Sequence, residues 1–269
     1  MTGGAVVYPA GPHVLAFATR ERARDLLKRA FPRRRGKLAL ARTVTEFSSA
    51  FKKSLIDAVV VDFAHPTDET WKAAALARDY PSVPFFALGP MRVADTGSLA
   101  RCVDGDFVDV LVEGMDDGAV RDLVLPHSFT TRFSDALNDA HVALGLDNRL
   151  QERAWRAIVA QGGRTVRTEN IAAQLHVTRE HLSRSFAKSG SPNLKRIIDL
   201  VRLIAAAELA KNPGYDVTEV ATVLEFASPS HLTSTAVRIV GTRSASLARL
   251  RTGDLIERFQ QGRGRSRAV

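Results

Sequence analysis

Two short polar stretches carry side chains able to read the surface of a nucleic acid. In REHLSRSFAK, Leu182 and Phe186 share one helical face, which leaves Arg179, His181, Ser183, Arg184 and Lys188 on the others. In PSHLTSTAVRIV the corresponding set is Ser230, His231, Ser234 and Arg238, which is smaller and less charged. Guanidinium, imidazole and hydroxyl groups on a helix pair with phosphates and base edges. Arg184 leads the set: an arginine fork bonds bidentately to guanine, worth about 1–3 kcal/mol of discrimination, and a phosphate contact is the blander use of the same side chain.

A second candidate is Asp62, which ends the apolar run VVVD and precedes Pro66 by four residues. A carboxylate at a strand end acts either as a nucleophile or as an acceptor for nearby backbone N–H groups. Enzyme chemistry has little else to use. Asp95-Thr96-Gly97-Ser98 is a single copy without the second aspartate that an aspartic-protease site requires. There is no phosphate-cradling loop, serine elbow or histidine pair at metal-ligand spacing, and His65 and His127 read as turn or surface residues. Cys102, the only cysteine, excludes an intramolecular disulfide and a cysteine-rich zinc site. No catalytic residue, metal or cofactor is expected.

The elements that must position these residues begin with an internal repeat. Ile171, Ala172, Leu175 and Val177 match Val220, Ala221, Leu224 and Phe226 at an offset of 49; Leu182 and Phe186 match Leu232 and Ala236 at 50. Each copy reads as two short helices meeting at a tight turn. Thr168, Thr178, Asp216 with Glu219, and Ser228 ahead of Pro229 are the expected N-terminal caps. Between the copies, residues 192–211 read as one helix with Leu194, Ile197, Val201 and Ile204 on a single face, ended by Asn212-Pro213-Gly214. A helix of about 20 residues spans about 30 Å, close to the roughly 34 Å between successive turns of a DNA groove.

Upstream, the apolar runs 14–17, 38–40, 58–61, 85–88 and 107–112 alternate with helical stretches at 21–30, 44–53 and 69–78. This predicts a five-stranded parallel sheet with helices on both faces, in flavodoxin-like order. Phe129, Phe133, Leu137, Ala140 and Leu144 form a stripe that either packs on its own domain or makes a dimer seam. The basic end, Gly262 to Arg267, is expected to be disordered, either adding DNA contacts or simply solvated.

The net charge of +9 lies entirely in one half: residues 1–149 balance 19 Lys and Arg with 19 Asp and Glu, and residues 150–269 hold 19 against 10. That implies a polyanionic partner for the second half. No apolar run approaches the roughly 18–20 residues of a membrane span, and no export signal is evident, so a cytoplasmic protein without a membrane partner is expected.

IAAQLHVTREHLSRSFAKSG followed by VATVLEFASPSHLTSTAVRIVG resembles the DNA-binding domain of AraC-type transcription regulators, with Leu182-Ser183-Arg184 and Phe186 in the family's places. The second copy departs from the pattern: Ser234 stands where the family has Arg, Ala236 where it has Phe, and Arg243-Ser244 where it has Ser-Pro. VVVDFAHP resembles the phosphoacceptor region of response-regulator receiver domains, with Asp62 at the phosphoacceptor position. The resemblance also locates Ala18-Thr19 where receivers carry an acidic pair for magnesium, Gly89 where they carry a hydroxyl, and Glu113 where they carry a lysine. It therefore implies a receiver-like domain without the receiver reaction, used for dimerisation, partner binding or sensing, with a phosphorylation-dependent regulator using Asp62 as the alternative. The expected organisation is an α/β domain over 1–126, a linker helix over 127–147, an all-α double helix-turn-helix domain over 148–252 and a basic tail over 253–269. The resemblance implies a bacterial transcription regulator, on the nucleoid when bound, with double-stranded DNA, a second copy of the chain and RNA polymerase as partners.

Overall fold

The computed structural model describes residues 11–90, 92, 96–188 and 192–265. They form two compact units. One contains residues 11–132 together with Asn212–Asp216, and the other Phe133–Lys211 and residues 217–265. The division falls inside the stretch expected as a linker.

The first unit is the expected five-stranded parallel sheet. Its strands β1 (His13–Phe17), β2 (Lys37–Ala41), β3 (Ala58–Asp62), β4 (Phe85–Gly89) and β5 (Asp109–Val112) pair in the order β2-β1-β3-β4-β5. Helices α1 (Glu21–Ala30), α2 (Val44–Lys53), α3 (Asp68–Ala75), α4 (Thr96–Asp104) and α5 (Asp117–Val124) connect or follow them. The central strands are buried on both faces, which is why they read as continuous apolar runs. Val14, Ala16, Val60, Phe86 and Leu88 pack with Leu27, Val120 and Val124 of α1 and α5. Phe17 and Phe85, of opposite pleat, meet Phe47 and Phe51 of α2 at ring separations of 5.7 and 6.2 Å. Helix α4 escapes the sequence reading because its first turn, Thr96-Gly97-Ser98, looks like a loop. The sheet order reverses direction beside β1, so the carboxyl ends of β1 and β3, where Asp62 sits, frame the crevice in which such sheets hold their sites.

Three expectations about the connecting and terminal segments are corrected. The stripe from Phe129 to Leu144 is not one helix but two, α6 (Phe129–Ala136) and α7 (Ala140–Ala143). Phe129, Phe133, Leu137 and Leu144 are all buried, and the Leu137 carbonyl accepts a 2.9 Å bond from the Trp155 indole. A stripe already covered within its own chain is not an open coiled-coil seam. Downstream of residue 252, the expected disordered tail is instead a helix, α14 (Thr252–Arg265), because Leu255 and Phe259, four residues apart, are fully buried. Residues 266–269 lie outside the described set.

The helical unit continues with α8 (Arg149–Val159), α9 (Thr168–Gln174), α10 (Arg179–Lys188), α11 (Leu194–Leu209), α12 (Val217–Val223) and α13 (Pro229–Val240). Thr178 and Ser228 cap as expected, each accepting the backbone N–H three residues on, whereas Thr168 is the first residue of its helix and Arg167 precedes it without a side-chain cap. Helix α11 is shorter than its sequence pattern suggests and is buried on nearly every side rather than on one face. The reason is its neighbours: α8, α12, α13 and α14 all pack against it.

The loop between α8 and α9 approaches α11 so closely that only glycine fits. Gly163 has φ +84°, and a Cβ there would lie 2.1 Å from the Ala205 Cβ. Gly241, which ends α13 at φ +67°, has open space around it. Gly163→Ala therefore combines overpacking with backbone strain and is expected to destabilise by about 3 kcal/mol, against about 1 kcal/mol for Gly241→Ala. Chemical denaturation of the two variants checks this; equal midpoints would contradict the close approach.

Candidate nucleic-acid interface

Each of the polar helices α10 and α13 is presented by a turn whose geometry repeats between the copies. His176 and Glu225, 49 residues apart, both have φ 57°, a left-handed conformation that costs a non-glycine residue about 1–2 kcal/mol. The same main-chain bonds close both turns: Val177 N–H to Ala172 O and His176 N–H to Ala173 O in the first, Phe226 N–H to Ala221 O and Glu225 N–H to Thr222 O in the second. Behind each turn an arginine donates to the carbonyl of the residue that follows the helix. Arg153 of α8 reaches Leu175 O at 3.4 Å, and Arg202 of α11 reaches Leu224 O at 2.8 Å and Glu225 O at 3.1 Å. These arginines are also 49 residues apart, so the repeat has three helices per copy, α8-α9-α10 and α11-α12-α13. Burial holds Arg202 below the usual arginine range, partly offset by Asp199 and Glu225, and its guanidinium stacks 3.9 Å from the Phe226 ring. Sequence reasoning missed this pair; extending the offset of 49 upstream from Leu175 and Leu224 would have found it.

On α10, Leu182 and Phe186 are fully buried, as their spacing requires, and Arg179, His181, Ser183 and Arg184 are exposed. Arg179 is paired with Glu169 of α9 at 3.1 Å, both partners exposed. Arg184 keeps its Nε on the Glu180 carbonyl at 3.3 Å, a bond within its own helix. Lys188 closes α10, and its side chain lies outside the described set.

On α13, Ser230, His231, Ser234 and Arg238 are exposed. His231 is held locally: its Nδ1 faces the Ala227 N–H at 3.4 Å and its ring lies 5.8 Å from that of Phe226. Arg238 has a structural partner that sequence reasoning missed, donating to the mostly buried Asp199 of α11 at 2.9 Å. That bond fastens α13 to α11. Thr233 adds a second fastening through its hydroxyl, 2.6 Å from that of Ser244.

The crevice of the α/β unit holds a charge arrangement inverted from the expected one. Arg20, at the start of α1, donates to both Asp62 oxygens at 2.7 and 2.8 Å and to Glu113 at 3.0 Å. The Ala64 N–H also donates to Asp62 Oδ1, at 3.2 Å. Hydrogen bonding to Asp62 raises the Arg20 pKa above its already high ordinary value, with Glu113 adding to the effect. These residues do not fit magnesium: Ala18 and Thr19 offer no carboxylate, and a guanidinium occupies the Asp62 oxygens. Among the described residues, no group of three or more His, Cys, Asp and Glu is placed to hold a metal ion. Burial pushes the Cys102 thiol up to about 11, so it stays protonated at neutral pH.

Residues 171–249 match the model of a family described as a helix-turn-helix domain. No curated protein matches the chain. Among solved structures, the chain is similar to a response regulator from Thermotoga maritima (15% identity over 44% of this chain and 97% of that one, TM-score 0.38). It is similar also to the receiver domain of an HD-domain protein from Pseudomonas fluorescens Pf-5 (21%, 44% and 96%, TM-score 0.38) and to full-length FixJ from B. japonicum (12%, 70% and 95%, TM-score 0.40). The chain thus carries a helix-turn-helix domain over residues 171–249, behind a five-stranded parallel α/β unit.

Incubation with acetyl phosphate and magnesium is expected to leave the intact mass unchanged; a phosphorylated species that vanishes in Asp62→Asn would contradict the inverted site. Arg20→Ala leaves Asp62 without its guanidinium and Glu113 with only the exposed Arg22, 3.3 Å away, an expected loss of about 2–4 kcal/mol at pH 7. Thermal unfolding at pH 7 reads the effect, and an unchanged midpoint would contradict the ion-pair cluster.

Proposed function

We propose that this protein is a sequence-specific transcription regulator that reads two successive major-groove segments of double-stranded DNA, one with α10 and one with α13. The single observation that carries this reading is the repeat itself: two turns of the same left-handed geometry, each braced by an arginine 49 residues from its counterpart, each presenting a polar helix. Helix α11 has 16 residues and so spans about 24 Å. Adding the roughly 8–10 Å between packed helix axes brings the reach to the order of the 34 Å groove repeat.

The two helices contribute unequally. Helix α10 exposes Arg179, His181, Ser183 and Arg184, with Lys188 at its end, and supplies most of the affinity. Helix α13 offers Ser230, His231 and Ser234, while Arg238 is committed to Asp199 and serves mainly to position the helix. Arg179 exchanges its exposed bond to Glu169 for a phosphate at little cost, since exposed pairs are worth about 0–1 kcal/mol. Arg184 is the principal base reader.

The α/β unit works without phosphorylation, since Arg20 supplies the counter-charge that a metal and lysine supply elsewhere. It serves for dimerisation, partner binding or sensing, and because the Phe129 to Leu144 stripe is buried, a dimer uses a different surface. Among the described residues no helix is long and apolar enough to cross a membrane. The protein acts in the cytoplasm at the nucleoid, where RNA polymerase is a further partner.

Selection of duplexes from a random library by the full-length protein should yield a defined motif. Arg184→Ala should lose about 5- to 150-fold in affinity for it and relax the preference at one position. Absence of a motif at every salt concentration, with one steep salt dependence shared by all duplexes, would identify a nonspecific binder instead.

A further inference from the structure

A cavity of about 240 Å³ opens between α3 and α4 in the α/β unit. Trp71, Ala74, Ala75 and Phe107 give it apolar walls, and Arg78 and Arg101 stand on its rim with Asp104. The aromatic wall is braced from behind, with Phe63 4.9 Å from Trp71 and 5.7 Å from Phe107 between ring centres. The Arg101 guanidinium lies 3.4 Å from the Trp71 ring centre. Stacking of this kind immobilises a guanidinium while leaving its N–H donors free in their own plane, so an anion that binds there meets a fork already oriented.

Neither arginine is paired with a carboxylate among the described residues, although Asp104 lies one helical turn from Arg101 and lines the same cavity. An arginine needed only to cover the indole has its natural partner in that aspartate. Instead, two guanidinium groups and one carboxylate leave a single net positive charge at the mouth of an apolar cavity. One charge suits a monoanion better than a phosphate dianion. The apolar walls favour a hydrocarbon body over an inorganic ion, and the volume falls below the roughly 300–1,000 Å³ that holds a drug-sized ligand.

We propose that this cavity binds a small aromatic monocarboxylate, its ring between Phe107 and the α3 alanines and its carboxylate on Arg101 and Arg78. Such a ligand ties α3 to α4 and gives the α/β unit a chemical signal independent of Asp62. The site requires nothing of the DNA-reading helices, so its failure leaves that reading intact.

Isothermal titration of the full-length protein with benzoate tests the proposal, with benzamide as the neutral isostere and acetate as the anion without a ring. Saturable binding of one benzoate per chain is expected, with benzamide and acetate each weaker by about tenfold or more. Arg101→Ala and, separately, Arg78→Ala should each weaken benzoate by about tenfold, while Arg29→Ala, which lines no part of the cavity, should not. Unfolding curves establish which variants are folded. No saturable heat at millimolar benzoate, equal affinity for benzamide, or unchanged binding in both folded cavity variants would overturn the site.

Discussion

Each of α10 and α13 hangs on a main-chain turn forced into a left-handed conformation at a residue that is not glycine, and held there by a buried or half-buried arginine from the helix behind. His176 and Glu225 adopt that conformation at a cost, and the bonds that close the turns, together with Arg153 and Arg202, offset it. The second turn is the more firmly braced: Arg202 reaches two carbonyls and stacks on Phe226, whereas Arg153 reaches one at longer range. The better-braced helix is also the one with fewer exposed polar and charged side chains, so rigidity is concentrated in α13 and exposed charge in α10.

The copies are fused as well as repeated. Helix α11 is the rear helix of the second copy and a wall for the first, through the contact of Gly163 with Ala205. Thr165, from the same loop, donates to the Glu225 carbonyl in the second turn. Of the charged residues that α11 buries, Asp199 is paired with Arg238 and Arg202 is bonded to the turn.

The repeat was legible because apolar residues recur at fixed offsets, and the five strands because each is a short apolar run, the central three being buried on both faces. The rest depended on partners distant in sequence. A left-handed histidine or glutamate has no compositional mark, and Arg238 looks like any exposed cation until Asp199 is beside it. The stripe from Phe129 to Leu144 has the period of a seam, but period does not say which surface covers it. In the α/β unit the missing acidic pair and the misplaced Glu113 were visible, and their meaning was not. Arg20 converts two apparent losses into one ion-pair cluster, and only the fold brings residues 20, 62 and 113 together. The final helix was misread because Gly262 and Gly264 outweighed Leu255 and Phe259 in a reading by composition.

Missing-base interference on a tightly bound duplex tests the central claim most directly, since it reports at every position whether removal of one base weakens the complex. Two groups of sensitive bases are expected, their centres about 10 base pairs apart on one face of the duplex, the group facing α10 being the stronger. A single group, or uniform insensitivity along the duplex, would contradict the account of two braced helices that each read DNA.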